Sequence, residues 1–310
     1  MTAYLFPGQG SQFVGMGADL YERFPEARAR FEAADAAVEI GLTRVMFGQG
    51  HDPEVEAAAL RQTDVTQPAL YVHSLAAFAV LEAQGVQPAM TAGHSLGEYS
   101  ALAAAGAIAF EDGLRVVRQR GRYMAEAGSE RPGTMAAILN LDDAAVDRVC
   151  AEVSERLSPL VVQPANYNSP GQIVISGDVA AVEAAMEAAS EAGARRVIAL
   201  DVSGAFHSPL MESARTGLAA ALEKLPIQEP RCPVYLNVTA EPTTDPDTIR
   251  AALLQQLTAP VRWAQTLERM QADGATSFVE VGAGKVLSGL VKRTLGRQVE
   301  TRAVGTAGDF

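Results

Sequence analysis

Met90-Thr91-Ala92-Gly93-His94-Ser95-Leu96-Gly97-Glu98-Tyr99-Ser100 contains Gly-x-Ser-x-Gly, the sequence form of a turn that carries the chain from a strand into a helix and presents a reactive serine. Such a turn strains the serine backbone, and flanking glycines avoid Cβ clashes. The Ser95 hydroxyl is then lifted to a helix N-terminus, where the Leu96 amide and the helix dipole face an oxyanion forming on an attacked carbonyl. The pentapeptide alone also fits an ordinary Gly-rich turn, so its surroundings decide. Gln67 to Gln84 reads as a helix closed by Gly85, Pro88 to Thr91 as a short strand, and Leu96 to Ala105 as an Ala-rich helix ending at Gly106. That is the strand, turn and helix order the motif requires.

Outward from this stretch, long Ala-rich helices alternate with short apolar strands over residues 1 to 130 and again after about 200, which predicts a parallel sheet covered on both faces. Between them the pattern changes. Thr134 to Leu139 reads as a strand, Asp142 to Leu157 as a helix, Val161 to Tyr167 and Gln172 to Ser176 as two strands joined around Pro170-Gly171, Val179 to Ala192 as a helix and Arg196 to Asp201 as a last strand. The order βαββαβ predicts a ferredoxin-like unit, residues 131–199, inserted in a larger α/β unit made of 1–130 and 200–310. No repeat at a solenoid period and no low-complexity tail interrupts the chain.

Composition bounds the function. With 310 residues and 48% apolar content the chain buries a large core, and a formal charge of −12 argues against binding a polyanion, which needs a concentrated basic surface. Local basic clusters remain: Arg115, Arg118 and Arg122 at helical spacing, and Lys285, Lys292 and Arg293. Each reads either as a solvated helix face or as a docking patch for an acidic partner, with the former favoured. Met1 to Pro7 lacks the basic and apolar regions of a secretion signal, and no apolar run approaches the ~18 residues of a membrane helix. The expectation is a cytoplasmic protein off the membrane. Cys150 and Cys232 stand apart from any Cys/His cluster, so no metal site is expected.

A serine hydroxyl needs a base, and the chain offers four histidines. His51, in Gly50-His51-Asp52-Pro53, reads as a surface loop residue, and His73, inside an Ala/Leu-rich helix, as a satisfied helix residue. His94 adjoins Ser95, but neighbours at a strand end project oppositely, so its ring points away and braces the turn at most. His207 lies in Asp201-Val202-Ser203-Gly204-Ala205-Phe206-His207-Ser208, running from a strand end into a small-residue loop, where open parallel sheets gather their functional groups. It is the expected base. No acidic residue stands out to orient it, which leaves a main-chain carbonyl. The first strand runs into Pro7-Gly8-Gln9-Gly10, placing Gln9 at the same sheet edge as an oxyanion donor or as a plain polar turn. Residues 8 to 13 do not meet the Gly-x-Gly-x-x-Gly of a dinucleotide site, and Gly282 to Val286 lacks the spacing of a phosphate loop.

Glu111 to Ala127 reads as a helix whose Val116, Val117, Tyr123 and Met124 share one face, and Arg120 falls in the middle of that face. A guanidinium held there needs a partner. Periodicity leaves two open: a protein carboxylate, or a carboxylate on the ligand. With a nucleophilic serine nearby, the planar fork suggests an acyl group bearing a free carboxylate.

Taken together, Phe6-Pro7-Gly8-Gln9-Gly10-Ser11-Gln12, Gln67-Pro68-Ala69-Leu70, Gly93 to Glu98, Arg120-Gly121, Asn166 to Gln172, Ala205-Phe206-His207-Ser208 and Glu280-Val281-Gly282 make the chain resemble, over almost its whole length, the malonyl-CoA:acyl carrier protein transacylases and the related acyltransferase domains of polyketide synthases. The resemblance implies a hydrolase-like α/β core with an inserted ferredoxin-like subdomain. It also implies Ser95 as nucleophile, His207 as base, Arg120 as the clamp on the malonyl carboxylate, and Gln9 with the Leu96 amide as the oxyanion hole. Gln256 takes the position whose main-chain carbonyl orients the histidine, and Gln67 resembles a site-lining residue. Phe206 before His207 is similar to malonyl-selecting members. The implied reaction passes a malonyl group from coenzyme A through Ser95 to the phosphopantetheine thiol of acyl carrier protein for fatty acid synthesis. The carrier is then a transient partner, the enzyme is expected to act as a monomer, and no metal or bound cofactor is implied. A free-standing acyltransferase serving a polyketide synthase, a serine esterase and an idle carrier-docking module are the alternatives.

Overall fold

The computed structural model describes residues 1–310 apart from Glu39 and His51, so the expectation for His51 lies outside the described residues. In chain order the strands are β1 (Thr2–Phe6), β2 (Met90–Gly93), β3 (Gly133–Leu139), β4 (Val162–Ser169), β5 (Gln172–Asp178), β6 (Arg196–Ala199), β7 (Val234–Tyr235), β8 (Pro242–Thr243), β9 (Ser277–Val281) and β10 (Glu300–Val304). Two sheets form. The larger has the order β10-β9-β1-β2-β7-β8. Its strands are parallel except for β8, which is antiparallel to β7.

β1 shows why this sheet is covered on both faces. Its side chains alternate with period 2: Tyr4 and Phe6 enter the core that holds the helix Thr63–Ala83, while Ala3 and Leu5 enter a second core with Trp263 and Leu267. The C-terminal ends of β1, β2 and β7 lie side by side, since Phe6 pairs with Gly93 and Ala92 with Tyr235. The loops after these ends are where ligands meet an open parallel sheet.

The smaller sheet has the order β4-β5-β3-β6 and is antiparallel throughout. With the helices Asp143–Arg156 and Val179–Glu191 between its strands, it has the ferredoxin-like arrangement that the βαββαβ order predicts. One face packs on those two helices, through Ile138, Ile173, Val146 and Val182. The other contributes Met135, Ala165 and Val174 to the main core. Val261, outside the named strands, pairs with β4, accepting from Tyr167 N at 2.9 Å and donating to Ala165 O at 2.8 Å, while the next residue, Arg262, donates its N–H to Asn237 O just past β7 at 2.8 Å.

Three expectations shift. Among the described residues before 130 there are only β1 and β2, because successive helices between Ala18 and Ala83, not alternating strands, fill the space beside β1. The helix expected from Gln67 begins at Thr63, with Pro68 inside it. Its first turn is held tertiarily: Thr63 Oγ1 meets Ser203 Oγ at 2.9 Å, and Gly121 of the helix Phe110–Glu130 lies against the Thr63-Asp64 backbone. The strand expected at Pro88–Thr91 runs from Met90 to Gly93, in step with β1; Pro88 has no N–H to give a ladder.

Both glycines of the turn are required by space. A Cβ on Gly93 would stand 1.8 Å from Gly97 O, and one on Gly97 would stand 2.1 Å from Phe6 O. Neither contact is with a flexible side chain. Gly97→Ala should therefore lower stability by about 1–3 kcal/mol through forced backbone shifts, read as a lower urea midpoint. An unchanged midpoint would mean that β1 and the elbow helix are not in contact.

Candidate active site

Ser95 sits at φ 52°, between the end of β2 and the helix Gly97–Ala104. A non-glycine residue in this region is strained and persists only where neighbours hold it. Asn237, just past β7, does so: its Oδ1 accepts from Ser95 N at 2.7 Å and its Nδ2 donates to Gly93 O at 2.7 Å. Gly97 N donates to His94 O at 2.9 Å and Glu98 N to Ser95 O at 3.0 Å, closing the turn. The Leu96 and Gln9 amides, on the loops after β2 and β1, have no partner among the described residues.

His207 also has positive φ, at 58°, and is 3% exposed. Its Nδ1 lies 2.8 Å from Gln256 O, which can only accept, so the hydrogen-bond pattern assigns the proton to Nδ1. Nε2 is left to accept from the Ser95 hydroxyl at 2.8 Å. Burial first, and Arg120 second, push the His207 pKa down to about 3, so the ring is a neutral base at neutral pH. Its loop is braced from the small sheet. Gln163 Nε2 on β4 donates to His207 O at 2.8 Å and to Thr258 O at 3.1 Å, fixing the base beside the segment that orients it.

Arg120 lies on the apolar face of its helix as the periodicity predicts and has no exposed surface. Of the two partners left open by the sequence, a protein carboxylate is absent: no ion pair engages Arg120 among the described residues. It donates instead to neutral oxygens, Gln67 Oε1 at 2.7 Å, Gln256 Oε1 at 2.9 Å and Ser95 Oγ at 3.1 Å, and faces the Tyr99 ring at 5.7 Å. Its Nε is buried without a partner. Burial pulls its pKa down, opposed by Tyr99 and Glu98. Arg115 and Arg122 are exposed on the opposite side, pairing with Asp112 and Glu126.

The remaining expected residues fall as follows. Gln67 is buried and, besides accepting from Arg120, donates to Gln9 Oε1 at 3.2 Å and contacts Met124 Sδ at 3.3 Å. Phe206 is buried directly before His207. His94 points away from Ser95, its Nε2 lying 2.8 Å from Asn168 Oδ1 and its ring edge-on to Trp263. His73 is buried inside its helix, but it is not satisfied as expected: neither ring nitrogen has a hydrogen-bond partner among the described residues, and burial lowers its pKa to about 4.

Sequence reasoning missed Asn237, Gln163, the side chain of Gln256 and the carboxylate of Glu98. Gln256 Nε2 donates to Ser95 O at 3.1 Å and to Glu98 Oε2 at 2.9 Å, while Asn237 N donates to the same Oε2 at 3.0 Å. Of these only Glu98 stood in a stretch the sequence singles out, the Gly93 to Glu98 motif, and nothing local shows where its carboxylate turns. This arrangement supplies a nucleophile, a neutral base, two free amides and a buried cation that is not ion-paired among the described residues. It suits acyl transfer from a donor that carries an anionic group.

Comparisons with known proteins agree in kind. The acyl transferase domain family matches residues 3–308. The chain is 46% identical over 302 residues to the malonyl CoA-acyl carrier protein transacylase of Bacillus subtilis (strain 168), spanning 97% of this chain and 92% of the relative. It is similar to the solved acyl-carrier-protein-S-malonyltransferase of Bartonella henselae, with TM-score 0.92 and 42% identity over 99% of this chain and 96% of that one. It is also similar to a malonyl-transacylase solved in complex with its type II PKS acyl-carrier protein, with TM-score 0.92 and 40% identity over 99% of this chain and 97% of that one.

A base with its pKa near 3 stays neutral well into acid. The rate of Ser95 modification by an uncharged phosphonyl fluoride should therefore be flat from about pH 8 to pH 5. A fall centred near the ordinary histidine value would show that His207 is solvated.

Proposed function

The chain belongs to the acyl transferase domain family, and we propose that it moves a malonyl group from coenzyme A to the phosphopantetheine thiol of acyl carrier protein, for fatty acid synthesis, through an ester on Ser95. The observation that carries the reading is Arg120, fully buried, within hydrogen-bond distance of Ser95 Oγ and without a carboxylate partner among the described residues. A buried guanidinium in this state gains most from a ligand that brings its own carboxylate.

Ser95 Oγ attacks the thioester carbonyl as its proton passes to His207 Nε2. The tetrahedral oxyanion is received by the Leu96 and Gln9 amides, which their lack of internal partners suits to the task. Collapse breaks the carbon–sulfur bond, and His207 returns its proton to the coenzyme A sulfur. The carrier's thiol then repeats the sequence on the acyl-Ser95 ester, giving up its proton to His207, which returns it to Ser95 Oγ. Protons and electrons balance with these groups and two thiols, so the reading includes no resident cofactor. The Gln256 carbonyl holds the imidazole and stabilises the imidazolium in both halves. Phe206, packed before the base, narrows the space for a branched acyl chain. A transient complex with acyl carrier protein is supported by the similar transacylase solved with its carrier. No helix among the described residues is long and apolar enough to cross a membrane.

Malonyl-CoA should leave a covalent malonyl adduct on Ser95, found by peptide mapping and absent in Ser95→Ala. Full transfer by that variant would overturn the assignment.

Arg120→Ala should lower kcat/KM for malonyl-CoA by about two to four decades, the loss expected when one partner of a desolvated charge pair is removed. Acylation by acetyl-CoA, which has no carboxylate, should be unchanged or improved. Equal losses with both donors in a folded protein would make Arg120 a structural residue.

A further inference from the structure

Glu98 is a carboxylate with no exposed surface, on the first turn of the helix that follows Ser95. Its Oε2 accepts from Asn237 N and Gln256 Nε2, while its Oε1 is buried with no partner among the described residues. It makes no ion pair with Arg120. The Gln256 amide stands between them, accepting from Arg120 Nη2 at 2.9 Å and donating to Glu98 at 2.9 Å. The titratable groups around this network are Arg120 from the helix Phe110–Glu130, Tyr99 on Glu98's own helix, and His207 and His94 at the serine. Asn237 and Gln256 are neutral, and so is His207.

Above about pH 7, where Glu98 is ionised, the site without ligand thus holds one buried positive and one buried negative charge, separated by a single amide. Adding the malonyl carboxylate places two anions around one guanidinium in a desolvated space, where like charges raise the pKa of the weaker acid. We propose that Glu98 is a charge-compensating proton acceptor: it takes up a proton from water when the malonyl carboxylate pairs with Arg120, and gives it back when the malonyl group leaves. The Oε1 atom without a partner is where that proton resides with least disturbance, since Oε2 keeps both of its donors. Burial already pushes the Glu98 pKa up to about 7, against the opposing pull of Asn237, Gln256 and Arg120, so a modest further rise falls in the neutral range. This rests on the reading of Arg120 as the carboxylate clamp. It adds a physical consequence: above neutrality malonyl competes with ionised Glu98 for Arg120, so KM for malonyl-CoA rises with pH, whereas that for acetyl-CoA does not.

The test is proton uptake during Ser95 acylation without an acceptor thiol, followed by a pH indicator in weak buffer within the burst, with the acylated fraction counted by intact mass. The Ser95 proton passes to the coenzyme A sulfur, so acylation itself is proton-neutral, and ionisation of the released thiol is common to both donors. If the malonyl carboxylate weakens the Glu98 acid about tenfold, malonyl-CoA takes up roughly half a proton per acylated Ser95 at about pH 7.5, beyond the acetyl-CoA value. Glu98→Gln, which removes the charge and keeps an oxygen for both donors, should abolish the difference. Equal uptake with both donors in the wild-type protein overturns the proposal, and if Arg120→Ala still loses malonyl selectively, the carboxylate clamp stands without it. A difference that persists in Glu98→Gln assigns the proton to another group and also overturns it. Loss of both donors alike in Arg120→Ala strikes the clamp itself.

Discussion

A guanidinium without exposed surface, bonded among the described residues only to neutral oxygens, is the constraint around which this site is organised. An uncompensated buried cation is costly, and the usual remedy is a salt bridge. Here the remedy is spread over Gln67, Gln256, the Ser95 hydroxyl and the Tyr99 ring, with one carboxylate, Glu98, held one amide away. A direct ion pair would have stabilised Arg120 and silenced it. The indirect one leaves it tolerated in the core and open to a carboxylate brought by the acyl group.

The same network sets the chemistry beside it. Gln256 turns its main-chain carbonyl to His207 and its side chain to Arg120, Ser95 and Glu98, so one residue couples the base, the clamp and the elbow. Both reacting residues sit in strained left-handed backbone, and each is locked by a side-chain amide from a remote element: Asn237 for Ser95 and Gln163 for His207. The small sheet is therefore part of the site's support. Through Gln163 on β4 and the Val261 pairing it fixes the loops that carry the base and its orienting carbonyl.

Much of this was legible in the sequence where the signal is local. Gly93 and Gly97 flank the serine because backbone from Gly97 and from β1 passes where a Cβ would be, and the βαββαβ order yields its sheet. Arg120 was found by helical period alone. What the sequence withheld are contacts made at long separation. Ser95 and Asn237 are 142 residues apart, Ser95 and Gln256 161, and β7 has two residues, too few to carry a pattern. Glu98 was visible as part of the motif, but nothing local reveals that its carboxylate turns inward toward Gln256. The early start of the Thr63–Ala83 helix likewise comes from tertiary packing on Gly121, which no propensity reports.

The most direct test of the account is a crystal structure of the malonyl-Ser95 ester, trapped without an acceptor thiol. The account predicts the free carboxylate within hydrogen-bond distance of Arg120, whose contact with Ser95 Oγ it replaces, with Gln67 and Gln256 still flanking the guanidinium. A malonyl carboxylate lying in solvent, with Arg120 bonded as it is in the ligand-free enzyme, would contradict it.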